Sequence, residues 1–235
     1  MAHEDFYRSI LKLLVYLRRF LLETIIALAC LVFIIYWFAP DILELLQYHL
    51  DQKLAFFGVM EPVISLLKLS TVTALALMAP WIFFRLSQGL ILLFGITRRF
   101  AFLFSVAALM LFYGGAAFCF FVTLPFGVNF LLGYQSQNLT AVISMGKFVD
   151  FVALFLLGFG LIFELPLIMS LSCKLGICHP KTFSKQRRYA ILVIAILAAV
   201  LTPTPDVLNM SLMAIPLYLL YEMGIIIGRL FTPVS

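Results

Sequence analysis

Six long apolar runs, at residues 21–39, 63–84, 100–123, 148–173, 189–202 and 207–228, leave this chain one solvent in which to fold. The hydrocarbon core of a bilayer is about 30 Å thick and takes about 20 mainly apolar helical residues to cross. Between the runs stand short segments that carry turn residues or charges: "APDILELLQYHLDQK", "GITRRF", "GYQSQNLT", "KLGICHPKTFSKQRR" and "TPTPD". None is large enough to be a soluble domain. Composition agrees, with 64% hydrophobic and 11% charged residues, where a soluble domain carries about 25% charged. The runs are continuous, which excludes an outer-membrane barrel built from alternating segments of about ten residues. The expectation is an all-α integral membrane protein, six transmembrane helices in one domain over residues 1–235.

Charge sets the expected orientation, because loops on the cytoplasmic side carry the excess of Lys and Arg. Of the 16 such residues, all but Lys53, Lys68 and Lys147 fall on one side, which puts both termini in the cytoplasm. The net charge of +5 therefore needs no nucleic-acid partner. Asp41, Glu44, Asp51 and Glu61 lean the other way, in a segment (40–62) expected to form a short amphipathic cap on the outer face. "YLRRFLLETIIALAC" has the look of an export signal, but its apolar stretch continues through "LVFIIYWFAP" without a small-residue cleavage site. It reads as an anchored helix, with Tyr36, Trp37 and Phe38 in an interfacial belt.

Two runs fit a bilayer poorly. Tyr189 to Leu201 makes a helix of about 20 Å before "TPTP" stops it. The last run is longer, but Pro216 is expected to break or kink it. A hairpin of short helices thins the bilayer or hides behind its neighbours.

Within the fourth run stands one acid, Glu164, with Pro166 two places on. An acid at a helix centre costs about 2.5–3.5 kcal/mol on insertion scales, so such residues face a bundle interior or a wet cavity. Pro166 frees the backbone carbonyl near residue 162 and adds a second polar group beside the acid. A hydrogen-bonded packing residue and a functional intramembrane site are both open readings.

The C-terminal part carries a series of motifs in order: Phe163, Glu164 and Pro166; Arg187, Arg188 and Tyr189; Leu201, Thr202, Pro203, Pro205 and Asp206; Ile215, Pro216, Tyr221 and Glu222. In order and spacing these closely resemble TatC, the multispanning core of the twin-arginine protein translocase. Upstream, "EPVISLLKLS" with Lys68, "MAPWIFF" with Pro80, and "RRFAFLFSVAALMLFYGGAAF" extend the likeness over nearly the whole chain. The resemblance implies a concave, glove-like bundle whose last two helices form a short hairpin. It implies no enzyme and no cofactor. The implied function is a receptor and assembly core in the bacterial inner membrane that binds twin-arginine signal peptides and exports folded precursors on the proton gradient. TatA-like and TatB-like single-span proteins would be its partners, alongside further copies or a second TatC. On this resemblance Glu164 lines the membrane-embedded face and meets a partner helix or a signal peptide.

The departures fall at the N-terminal end. The family pattern His-Leu-x-Glu-Leu-Arg-x-Arg appears here as "LLVYLRRF" at residues 13–20, so Tyr16 takes the glutamate position, Arg18 keeps its arginine and Phe20 replaces the other. The family's Glu-Arg-Arg before the third helix appears as Thr97, Arg98 and Arg99. The two lost glutamates are the family's contacts for the paired arginines, and guanidinium groups pair best with bidentate carboxylates. No other acid is well placed, since Glu4 and Asp5 lie at the N-terminal end and Glu23 sits just inside the first helix. A TatC with altered signal contacts, a paralogue with an assembly role alone, and a chain without receptor activity all remain open.

Cys173, Cys178 and His179 lack the second ligand pair of a zinc site. Gly224 and Gly228 have the spacing that lets helices approach closely, inside one chain or between subunits. A proton-coupled solute transporter also puts an acid beside a proline at mid-membrane, yet it predicts internal repeats, and none is evident. A scaffold without a transport role would tolerate loss of Glu164 and Asp206.

Overall fold

The structure is a computed structural model that describes residues 2–50, 54–132, 143–201 and 207–231. It is built of α-helices: α1 (Ala2–Leu50), α2 (Glu61–Phe94), α3 (Arg98–Phe118), α4 (Leu124–Leu132), α5 (Met145–Ile162), α6 (Leu165–Lys174), α7 (Pro180–Lys185), α8 (Arg187–Leu201) and α9 (Val207–Phe231). Two-residue strands β1 (Leu54–Ala55) and β2 (Ile143–Ser144) pair in parallel. Among the described residues, five helical stretches are long and apolar enough to cross a membrane. Helix α8, at 15 residues, is about 22 Å long and falls short, as the sequence leads one to expect.

The helices differ from the sequence runs where proline and packing intervene. The expected cap over residues 40–62 is not separate. Helix α1 runs on through Pro40 to Leu50, burying Ala39, Leu43, Leu46 and Leu50 on one stripe and exposing Leu45 and Tyr48. A proline forfeits a single helical hydrogen bond, and this spacing of buried residues holds the last turns in place. The third run continues into α4 through a π turn at Cys119–Thr123, where the Leu124 N–H reaches back to the Cys119 carbonyl. The widened turn ends one residue short of Pro125, which has no N–H to give to a regular ladder. Pro216 does not break the last helix: α9 is continuous through it, with Leu217 and Leu220 buried just beyond.

The chain divides into two compact units, Met1–Leu109 with Ile143–Ala153, and Met110–Val142 with Leu154–Ser235. In the first, α1 packs on α2, and Phe20 stacks on Trp81 with ring centroids 5.9 Å apart. Glu61, the first residue of α2, holds the start of α5: it accepts from the Ser144 hydroxyl, from Gly146 N at 2.8 Å and from Phe57 N at 2.7 Å. In the second, α6 packs on α9. A Cβ at Gly224 would lie 3.0 Å from Pro166 Cα and 2.7 Å from Met169 Sδ; one at Gly228 would lie 3.0 Å from Cys173 Sγ. The small residues of α9 thus serve a contact inside the chain. Phe118, Phe159 and Phe163 form a ring cluster beside it, with centroids 5.8–6.5 Å apart.

Candidate functional site

The N-terminal site residues lie in the first unit, and the packing of α1 on α2 positions them. Tyr16 is half-buried and donates its hydroxyl to the Arg85 carbonyl at 2.7 Å. Its ring packs beside Gly89, where a Cβ would stand in van der Waals contact, 3.4 Å from Tyr16 Cε1. Helix α2 ends at Gly95, in the left-handed region with φ +62°, and the chain turns directly into α3. That sharp turn brings Arg98 back toward α1. Tyr16 and Arg98 line one cavity of about 490 Å³ together with Ser87, Gln88, Ile91 and Phe102. Arg18, Thr97 and Arg99 are exposed and outside that lining. Among the described residues, the cavity walls offer a cation and neutral hydrogen-bonding groups and no carboxylate.

A carboxylate does stand on the same α1 face: Glu23, which the sequence alone does not mark as well placed because it sits just inside the first helix. Glu23 is seven residues, or two turns, beyond Tyr16. Its Oε1 accepts from Arg19 Nε at 2.7 Å, and its Oε2 accepts from Arg85. The Arg85 guanidinium also lies over the Trp81 ring, 5.4 Å from its centroid. The i, i+4 spacing of Arg19 and Glu23 is visible in the sequence; Arg85, 62 positions from Glu23, is not.

In the second unit, the fourth run is broken where its acid stands. Helix α5 stops at Ile162, Phe163 and Glu164 form a turn, and α6 begins at Leu165 with Pro166 in its first turn. Glu164 N bonds to the Leu161 carbonyl at 3.1 Å, a tightened turn, and the Glu164 carbonyl accepts from Leu167 and Ile168. The side chain is only 6% exposed, and its Oε1 has no hydrogen-bond partner among the described residues. Glu222 is satisfied differently: Arg187 donates to it at 2.8 Å and Tyr218 at 2.9 Å, while Tyr221 donates to the Phe183 carbonyl.

Comparison with known proteins decides the family. A family model described as Sec-independent protein translocase protein (TatC) matches residues 12–216. The chain belongs to the TatC family. TatC of Desulforapulum autotrophicum is 34% identical, with 92% of this chain and 82% of that protein covered. TatC of Carboxydothermus hydrogenoformans is 33% identical over 98% and 96% of the two chains. Two solved crystal structures of the twin-arginine translocase receptor TatC, one of them in DDM, superpose with a TM-score of 0.79 at 29% identity, covering 92% and 94% of this chain.

Among the positions matched to the TatC pattern, Lys68 pairs with Asp150 at 2.6 Å in the first unit. Pro80 is exposed on an unbroken α2. Pro203, Pro205 and Asp206 lie outside the described residues. Cys173 packs its sulfur on Gly228, and His179 caps α7 by accepting from Lys181 N, so both have structural duties.

Proposed function

We propose that this chain is the multispanning core of a twin-arginine translocase in the bacterial cytoplasmic membrane, with both termini inside. It receives signal peptides bearing paired arginines and organises TatA-like and TatB-like single-span proteins around folded precursors. Transport draws on the proton gradient, and the chain itself catalyses no chemistry. What carries the reading is the convergence on one cavity of Tyr16, at one of the family's two glutamate positions, and Arg98, next to the other. The solved neighbours named as twin-arginine receptors share this fold at 29% identity. Glu164 adds a buried carboxyl oxygen that no donor among the described residues meets, available to a donor from a partner.

The test is photo-crosslinking from positions 16, 97 and 164 to a twin-arginine precursor in membranes, beside a precursor whose two arginines are lysines. Crosslinks from 16 and 97 that vanish with the lysine pair support signal recognition. Crosslinks from 164 alone, and only to single-span proteins, leave the chain an assembly role. Glu164-dependent uptake of a solute would support a transporter instead.

A further inference from the structure

We infer that Glu23 is the carboxylate with which this chain takes a guanidinium of the incoming arginine pair, and that Arg19 is the resident it displaces. The inference rests on the reading that the chain receives twin-arginine signals, and it names an anion where the described lining of the cavity around Tyr16 and Arg98 has none.

Glu23 already holds two guanidinium groups, one on each oxygen. The two are held unequally. Arg85 is one-quarter exposed, lies on the Trp81 ring, and has its backbone carbonyl tied to the Tyr16 hydroxyl. Arg19 is 78% exposed and meets Glu23 through the i, i+4 geometry of a single helix, the weakest kind of ion pair. A guanidinium arriving along α1 past Tyr16 therefore finds an oxygen whose occupant leaves readily for water. The exchange keeps the charge on Glu23 matched, so this half-buried anion is never left bare. Lysine is a poorer entrant, because an ammonium lacks the planar fork that suits a carboxylate already shared with Arg85. Tyr16 acts as a positioning residue through Arg85.

The experiment measures binding of a fluorescent twin-arginine signal peptide, and of its twin-lysine counterpart, to the full chain in detergent. The variants are Glu23→Gln, Glu23→Asp and Arg19→Gln. Glu23→Gln should weaken the arginine peptide about tenfold, the size expected on losing one charge-assisted hydrogen-bonded pair, and bring it level with the lysine peptide. Glu23→Asp should restore part of the preference. Arg19→Gln, at an exposed position that does not threaten the fold, should tighten the arginine peptide several-fold, which a purely structural Glu23 does not predict. If the unaltered chain prefers arginine and neither Glu23→Gln nor Arg19→Gln changes that preference, this inference falls and signal recognition stands. If the unaltered chain binds both peptides equally, recognition itself falls, and the inference with it.

Discussion

Glu164 shows what one residue can hold in reserve. A buried oxygen without a hydrogen bond costs about 1–3 kcal/mol, so a side chain that removes it while filling the space should make the protein more stable. Glu164→Leu is expected to raise the thermal unfolding midpoint in detergent while reducing export of a twin-arginine reporter to background. A variant that is both more stable and fully active would return Glu164 to ordinary packing. Glu222 is the contrasting acid, since both its oxygens are engaged by Arg187 and Tyr218. The difference is one of wiring, and a list of acids in the sequence does not reveal it.

At the scale of elements, α6 and α9 touch because α9 has no side chain where Pro166 and Cys173 approach. Gly224→Val should cost about 1–3 kcal/mol, the range for forcing volume into a packed site. Gly114→Ala, where a Cβ would meet nothing within 4 Å, should be neutral or gain about 0.5–1 kcal/mol from helix preference. Unfolding in a mild-to-harsh detergent series would separate the two, and equal losses would overturn the close-contact account. The elements also show how much the sequence made legible. The apolar runs located the helices, because hydropathy over a bilayer's width is a local property. Local rules did less well at the prolines: Pro40 and Pro216 pass inside continuous helices, held by buried neighbours, whereas Pro166 stands beside a true break. The candidate site was half legible in the same sense. Tyr16, Arg98 and Glu164 could be singled out by type and position, but Glu23 gained its meaning only when α2 delivered Arg85 to it.

For the whole molecule, the short α8 implies a preference among membranes. Among the described residues, five helical stretches have the length of a bilayer and α8 does not. Reconstituted with its partners, the protein should export best in lipids of shorter acyl chains and lose activity as the bilayer thickens, since each ångström of mismatch costs a fraction of a kcal/mol. Lengthening α8 by one helical turn of leucines should shift that optimum toward thicker bilayers; an unchanged optimum would dismiss the thinning role. The contact at Glu61 bears on something else, the order of events while the chain is being made. Its carboxylate opens α2, yet its partners Ser144 and Gly146 lie 83 and 85 positions later. At about 5–20 residues per second, a ribosome needs about 4–17 s to deliver them. Until then the two-strand pairing of β1 with β2 cannot close either, so α2 must wait, already synthesised and with its leading acid facing water. The first unit is finished late, by a piece of chain that emerges only after all of α3 and α4.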